Sequence, residues 1–443
     1  MDAAVPAQGF FPRHPGLRWY LLGLVVNLAY LGVLLSFDVS RRNLQPVSSA
    51  SEETVWSKSD ASTYVRSARE FLDTGVFAGS DGLPDSHRTV GYPAFLALAM
   101  AVGGTGWVEW VWVLQAVMFA AIYPALAFVA RDWFGATARQ VDRFLLAYVL
   151  IGAGWAYTPI PLTDQMFTVC LWGALALGTR AVRSGGVGSW LGHFALLGAA
   201  ASIRPTLALF PLAFAALMFA LRGQKPFRRL AFVFAVQMLL CQAPALRNYV
   251  HHGVWIPSDV MVNNLSDYVA KDVLEFAGDT ATYPLAEAEW TARPLAERLA
   301  AQTAFAKSVA VAHPWIALEV VGLNLVMNTL ETHWIQPMHY FRSSLYCDLK
   351  RWGALTPGQK AFHVLWALIH AGLALAACCG LWQLARHRQW AFLLFSLVFT
   401  LPYLYGATDA QGARFRLYLE ALILMLALLG CAGARPGEDR REN

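Results

Sequence analysis

The sequence predicts an all-α polytopic membrane protein with about ten transmembrane helices and two outer-face loop regions that contain short helices. The chain has 443 residues, of which 57% are hydrophobic and only 14% are charged. A soluble protein carries about 25% charged residues, so this composition is outside the soluble range. Long apolar runs recur along the whole chain, and a helix needs about 20 such residues to cross the hydrocarbon core. We therefore expect one membrane domain over residues 1–443.

The apolar runs define the expected spans, and the basic residues of the short loops define their orientation. The spans are 17–37, 108–130, 144–160, 164–182, 190–203, 205–221, 229–246, 360–383, 389–405 and 417–434. The Lys and Arg residues between them fall on one side if both termini are cytoplasmic, as the positive-inside rule requires. The apolar segment 315–331 would break this pattern as a further span, so we expect a helix that lies on, or dips into, the outer face.

Charge and cysteine content narrow the possible functions. The net charge of +5 comes from basic residues clustered at span ends. Such residues mark topology and contact lipid headgroups, so no nucleic-acid partner is expected. Of the six cysteines only Cys347 lies in an outer region, where it has no partner for an intrachain disulfide. No Cys/His spacing resembles a zinc site, so no metal ligands are assigned.

Two long regions on the expected outer face should carry the function. Residues 38–88 form the first, which we interpret as the catalytic loop, and residues 247–359 form the second. Loops longer than about 15 residues are usually functional or disordered, and these contain apolar residues at helical spacing. The cytoplasmic loops are short connectors. Many transporters contain an internal repeat with matched interrupted helices. We find no such repeat in this sequence.

Asp60 is the first candidate for chemistry. It begins an expected amphipathic helix in which Tyr64 and Ala68 follow at helical spacing. One interpretation is structural, because an acid in the first turn caps a helix and interacts favourably with its dipole. The other is a general base that faces the membrane and takes a proton from an attacking hydroxyl. The local pattern alone favours the structural interpretation.

Basic residues at the outer ends of spans are the second group of candidates. Arg88 precedes a Gly-Tyr-Pro sequence at 91–93, where glycine and proline permit a sharp turn into an apolar helix. An arginine at that depth either extends its head to the interface or binds a phosphate with its five donors. Arg414 and Arg416 flank a phenylalanine on the outer side, against the positive-inside bias, and a clamp on a lipid phosphate explains them better than anchoring alone.

Two further polar groups lie at the outer ends of the spans. Asp164 begins the fourth span and Arg204 lies between the fifth and sixth, so the two can pair, either as a structural element or in substrate binding. Arg247 and Asn248 close the seventh span, where a capped helix end is the structural interpretation.

In their order along the chain, these residues resemble the GT-C membrane glycosyltransferases that use polyprenyl-phosphate sugars. That group includes protein O-mannosyltransferases, the lipid A aminoarabinose transferase and lipopolysaccharide sugar transferases of rhizobial type. The matching elements lie at 60–68, 88–97, 163–164, 204–205, 244–249 and 414–416. Three departures are clear: Ala61 stands where many relatives have a second acid, Val90 replaces a proline, and Asp164 replaces a glutamate.

The resemblance implies an inverting transfer of a single sugar from a polyprenyl-phosphate donor to a hydroxyl of a lipid, glycan or protein acceptor. It assigns the role of general base to Asp60 and the binding of the donor phosphate to Arg88, Arg414 and Arg416. The possible substrate pocket comprises Tyr64, Tyr92, Asp164, Arg204, Arg247 and Asn248. A phosphate leaving group needs no general acid, so no cofactor is required and a divalent metal is optional.

The expected location is a bacterial inner membrane, with membrane lipids around the protein and the active site facing the periplasm or exterior. The alternative function is a transporter or flippase of a lipid-linked or anionic solute. A transporter predicts ionisable residues deep within several spans, whereas the charged residues of this chain lie mainly at the outer ends.

Overall fold

The computed structural model describes residues 15–36, 60–79, 82–159, 162–207, 209–222, 227–291, 293–334, 356–405 and 413–430. The regular structure of these residues is helical, apart from one isolated β-bridge between Ala78 and Pro84. The predicted all-α class is therefore confirmed for the described part of the chain.

The helices follow one another with short connections, except where the two outer regions intervene. The α-helices are α1 Pro15–Ser36, α2 Asp60–Thr74, α3 Gly91–Gly103, α4 Trp107–Ala120, α5 Ile122–Phe134, α6 Ala138–Leu150, α7 Thr163–Ser184, α8 Val187–Ile203, α9 Phe210–Arg222, α10 Phe227–His252, α11 Val260–Asn263, α12 Lys271–Phe276, α13 Thr282–Thr291, α14 Leu295–Ala312, α15 Pro314–Leu330, α16 Pro357–Arg386, α17 Trp390–Tyr405 and α18 Ala413–Met425. Two π-helical stretches, Asn264–Ala270 and Leu426–Gly430, follow α11 and α18.

Several of these helices are suited to a membrane. Four helical stretches are long and apolar enough to cross it: Gly16–Val33, Gly91–Phe134, Arg228–His252 and Pro357–Arg386. Helices α14 and α15 meet at a bend of 107° and make a fifth if they form one broken span. Shorter apolar helices lie at Val187–Ile203, Phe210–Leu221 and Trp390–Tyr403. Length and composition thus support a polytopic membrane protein with four to five spans among the described residues, and the count of ten stays a prediction.

The predicted segment 144–160 differs from the structure. Helix α6 ends at Leu150, and residues 151–159 form consecutive turns. Gly152 has a φ of 83°, which a helix cannot include. A Cβ on Gly154 would lie 2.2 Å from Tyr123 Oη, so this turn packs closely against α5. The apolar character of this segment reflects a buried turn rather than a continuous helix.

Helix α3 turns back along α4 instead of continuing into it. The two are separated by a 3-10 turn at Gly104–Gly106, in which Gly104 has a φ of 53°. Tyr92 Oη donates to Gln115 Oε1 at 2.7 Å, which pairs the start of α3 with the second half of α4. The residues that follow Arg88 therefore lie beside the helix bundle.

Helix α7 lies at the centre of the described bundle. Its Trp172 Nε1 donates to Tyr418 O on α18 at 2.9 Å, and its Thr179 Oγ1 accepts from Trp133 Nε1 on α5 at 3.0 Å. On a third side, His193 Nδ1 of α8 donates to Ala174 O at 2.7 Å. Because α7 is held by three helices, the acid in its first turn, Asp164, has a fixed position.

Charged residues lie at both ends of this bundle. At one end Arg183 Nε binds Asp132 Oδ2 at 2.7 Å, and Arg18 Nη2 binds Asp142 Oδ1 at 2.6 Å. Asp164 lies at the other end of α7, about 28 Å from Arg183 along a helix that rises about 1.5 Å per residue. This separation is close to the roughly 30 Å thickness of a bilayer core. The two charged ends therefore fit the two membrane surfaces.

Candidate functional site

The first predicted site element is the helix that begins at Asp60. Helix α2 does begin at this residue, as the sequence predicts. Its buried face, which includes Tyr64 and Ala68, packs toward α3, and the rings of Tyr64 and Tyr92 meet edge to face at a centroid distance of 5.4 Å. The side chain of Asp60 lies outside the described residues, so its role as base stays a prediction.

Arg88 is held over the first turn of α2. Its Nε donates to Thr63 Oγ1 at 2.9 Å, and its Nη1 donates to Tyr64 Oη at 3.3 Å. Its guanidinium carbon lies 4.7 Å from the centroid of the Tyr64 ring, a cation–π distance. Thr63 is one helical turn from Asp60, so a permanent positive charge lies beside the backbone position of the predicted base.

The loop that carries Arg88 is fixed by hydrogen bonds to its own backbone. Asp85 Oδ1 accepts the N–H groups of His87 at 2.8 Å and Arg88 at 3.0 Å. Thr89 Oγ1 donates to Ile203 O at 2.8 Å, which ties the end of the loop to α8. Asp85 is not among the residues that the sequence analysis singles out, although its contacts are with residues only two and three positions later.

Arg247 acts on the same loop from α10. It donates through Nη1 to Arg88 O at 3.3 Å and through Nη2 to Asp85 O. Its neighbour Asn248 donates through Nδ2 to Ile256 O at 3.0 Å and Pro257 O at 3.3 Å. Arg247 thus binds the backbone of the Arg88 loop and Asn248 binds the backbone that follows α10. Their part in a substrate pocket stays a prediction.

Asp259 is a site residue that the sequence did not reveal. Its Oδ1 lies 2.6 Å from His87 Nδ1, and its Oδ2 accepts from Ser86 Oγ at 3.0 Å and from Arg298 Nη2 at 3.2 Å. Its side chain is only 2% exposed. Burial raises the pKa of Asp259, but the hydrogen bond from His87, the charge on His87, the hydrogen bond from Ser86 and the charge on Arg298 outweigh burial and hold the pKa below its ordinary value. Its partners come from distant parts of the chain, so no local pattern marks it.

Asp164 and Arg204 form the ion pair considered from the sequence. Arg204 Nη1 lies 2.6 Å from Asp164 Oδ1, and the two side chains are 15% and 0% exposed. The Arg204 guanidinium carbon is also 6.0 Å from the centroid of the Phe167 ring. A pair this buried is stabilising only because each charge offsets the desolvation of the other.

Tyr92 connects this pair with the Arg88 loop. Its ring packs edge to face against the Tyr64 ring, and its hydroxyl donates to Gln115 of α4. Its hydrogen bond to Gln115 continues to Thr158, whose carbonyl oxygen accepts from Gln115 Nε2 at 2.6 Å. Tyr92 is fully buried and belongs to the wall between the two charged groups.

The arginine motif at 414–416 lies at the start of α18, and its described member, Arg416, is buried. Arg416 is only 2% exposed, and its Nη1 donates to Asn328 O at 2.6 Å and to Thr329 O, while its Nη2 donates to Glu331 O at 2.9 Å. Its Nε donates to Glu420 Oε2, which also contacts His333 Nε2 at 3.2 Å. Arg416 therefore satisfies the carbonyls at the end of α15. The side chain of Arg414 lies outside the described residues, and phosphate binding by either arginine stays a prediction.

The predicted residues thus separate into two neighbouring groups. Tyr64 and Arg247 contact the loop that carries Arg88, and Asp164 with Arg204 forms the second group at the start of α7. The rings of Tyr418 on α18 and Phe167 on α7 meet edge to face at a centroid distance of 5.9 Å. The start of α18 therefore lies close to the Asp164–Arg204 pair. Within the described ranges, no cluster of three or more His, Cys, Asp and Glu residues is arranged to hold a metal ion.

Comparison with protein-family models, with curated proteins and with solved structures found no match to this chain. The relation to GT-C glycosyltransferases therefore remains a resemblance carried by the residues described above.

Proposed function

We propose that this protein is a membrane glycosyltransferase that moves a single sugar from a polyprenyl-phosphate donor to a hydroxyl acceptor at the outer face. The observation that carries the proposal is the position of Arg88 over the first turn of the helix that begins at Asp60. In the arrangement that we propose, the Asp60 carboxylate accepts a proton while the nearby Arg88 guanidinium stabilises a departing phosphate.

In the proposed reaction the acceptor hydroxyl attacks the anomeric carbon as the bond to the phosphate oxygen breaks. Asp60 takes the hydroxyl proton, and the configuration at the anomeric carbon inverts. Arg88 donates hydrogen bonds to the phosphate as its negative charge grows, and Arg414 adds a second positive charge. The polyprenyl phosphate leaves as a stable anion, so the leaving group needs no proton.

The geometry that supports the proposal is the fixed position of the Arg88 guanidinium. Arg88 is fixed at its backbone by Asp85 and Arg247 and at its head by Thr63 and Tyr64. Positions that are fixed before the reaction stabilise charge without the cost of reorganisation. The acceptor, a lipid, glycan or protein hydroxyl, would reach the site from the aqueous side or from the outer leaflet.

Sugar transfer by the purified protein tests this proposal. A panel of radiolabelled polyprenyl-phosphate monosaccharides would be incubated with a crude envelope extract and wild type or Asp60→Asn protein. We expect transfer from one donor by wild type and a loss of at least about 100-fold in Asp60→Asn, in keeping with removal of a general base.

The matched control is Asp73→Asn, the same change at an exposed position in the last turn of α2. It should transfer sugar at the wild-type rate. Equal transfer by wild type and Asp60→Asn would exclude Asp60 as the base and leave Asp164 as the acidic candidate. No transfer from any donor would contradict the proposal as a whole.

One observation favours the alternative, a transporter or flippase. Helices α14 and α15 are interrupted by a bend of 107°, and interrupted helices are common at transporter binding sites. This function predicts movement of a labelled polyprenyl-phosphate sugar across proteoliposomes that contain the protein. Translocation without transfer would support it over the glycosyltransferase.

A further inference from the structure

Asp259 joins the two outer regions at the loop that carries Arg88. Its carboxylate binds Ser86 and His87 of the first outer region and Arg298 of α14, at 3.0, 2.6 and 3.2 Å. Its own N–H donates to Ser86 O at 3.2 Å. A buried carboxylate with partners on two other segments can hold those segments and its own in one arrangement.

The neighbours of Asp259 complete this arrangement. Ser258 Oγ donates to His87 O at 2.7 Å, and Asn263 Nδ2 lies 3.4 Å from Asp259 Oδ1. Because a carboxylate only accepts hydrogen bonds, His87 Nδ1 carries the proton of the 2.6 Å contact. The side chain of His87 is thereby directed toward the second outer region, and that of the next residue, Arg88, is directed toward α2.

We infer that Asp259 is a positioning residue for Arg88 in the reaction proposed above. It does not touch the substrate. It fixes residues 86 and 87, and the backbone N–H of Arg88 is fixed in the same turn by Asp85. Loss of the Asp259 charge releases His87 and Ser86, and Arg88 then reaches the donor phosphate in fewer molecules. This inference rests on the proposed function, since it assigns Arg88 to the donor phosphate.

The test uses the full-length protein in detergent and the variant Asp259→Asn. Glu275→Gln, an exposed acid of the same outer region, is the matched control. Hydrogen exchange of the peptide containing residues 85–90 reports the loop directly, since the N–H groups of His87 and Arg88 are hydrogen-bonded. We expect faster exchange in Asp259→Asn and a weaker effect of the same sign in His87→Gln, which removes one contact only.

The kinetic readout separates positioning from general damage. We expect kcat/KM for the donor to fall about tenfold in Asp259→Asn, chiefly through kcat, because Arg88 stabilises a charge that grows in the transition state. In an Arg88→Ala background, the same substitution should change kcat/KM by less than about twofold, because residues that act through one another are not additive.

Unchanged exchange at residues 85–90 in Asp259→Asn would overturn the inference, as would an effect on kcat/KM for the donor that is undiminished in the Arg88→Ala background. If the wild type transfers no sugar, the proposed function fails. In that case the exchange result still decides whether Asp259 fixes the Arg88 loop, so the two failures are distinguishable.

Discussion

Gly91 lies where the beginning of α3 meets the end of α8. A Cβ at this position would come within 2.4 Å of Ser202 Oγ and within 2.7 Å of the Ser202 carbonyl carbon. A backbone atom cannot move aside as the end of a side chain can, so a methyl group here would separate the two helices. The sequence suggested that Gly91 permits a turn, but the residue is helical, and close approach is the reason for glycine.

We therefore expect Gly91→Ala to lower the free energy of unfolding by about 1–3 kcal/mol, the usual cost of overpacking. Gly188→Ala on α8 is the control, because its Cβ would meet nothing within 4 Å. Thermal unfolding in detergent measures both. Equal stability of Gly91→Ala and wild type would show that α3 and α8 can separate at no cost.

The ionised carboxylate of Asp259 makes the stability of the protein depend on pH. Its pKa is held below the ordinary value, so its contacts contribute stability above the unfolded-state value, and this contribution disappears as the pH falls through the folded-state value. The difference in thermal midpoint between wild type and Asp259→Asn should be largest above about pH 5 and should shrink as the pH falls below about 4. A difference that grows with acidity would contradict this ionised state.

At the scale of helices, Arg416 joins α18 to the end of α15. A helix leaves its last carbonyl groups without partners, and the planar guanidinium of Arg416 supplies donors to three of them. Glu420, one turn further along α18, balances its charge. This arrangement is structural, and it accounts for an arginine that the positive-inside rule leaves unexplained.

We expect Arg416→Lys to lower the free energy of unfolding by about 3–5 kcal/mol, because a single ammonium cannot replace a forked donor inside a buried pair. Arg143→Lys, at an exposed position of α6, should change it by less than about 0.5 kcal/mol. Folded yield and thermal midpoint check both variants. An Arg416→Lys protein of normal stability that fails to bind polyprenyl phosphate would instead support the phosphate role.

The sequence predicts helices well where apolar runs are long. It predicts them less well where an apolar segment is a buried turn. Each of the ten predicted segments contains or overlaps a helix, yet 144–160 ends in turns, because Gly152 has a positive φ and Gly154 packs closely against Tyr123 of α5. In the site, helix α2 and the Asp164–Arg204 pair followed from local pattern. Asp259 did not, since its partners depend on how distant segments meet.

At the scale of the whole molecule, two groups of charged residues lie at the two ends of the bundle, apart from the buried Arg416–Glu420 pair. The Arg88 loop and the Asp164–Arg204 pair lie at one end, and the Arg183–Asp132 and Arg18–Asp142 pairs lie at the other. The distance between these ends is about the thickness of the hydrocarbon core. The predicted sidedness of the chain is therefore open to a direct experiment.

Single cysteines placed at the two ends should react from opposite sides of the membrane. In a background whose own six cysteines are replaced by serine, we expect Asp73→Cys and Glu275→Cys to react with an impermeant maleimide on intact cells. Arg143→Cys and Arg180→Cys should react only after permeabilisation, because basic residues of short loops mark the cytoplasmic side. Reaction of Asp73→Cys and Glu275→Cys from different sides would separate the two outer regions and contradict the site.

The contacts around the 85–89 loop also have a consequence for the order of events during synthesis. Arg247 and Asp259 are 162 and 172 positions later in the chain than the residues they bind. A ribosome that adds about 5–20 residues per second needs roughly 9–35 s to make that intervening length. During this time the loop with Arg88 has been made without the partners that shape it. The nascent chain therefore cannot complete the contacts of this loop until residues 247–259 follow, and truncated products that end before Arg247 would lack those contacts.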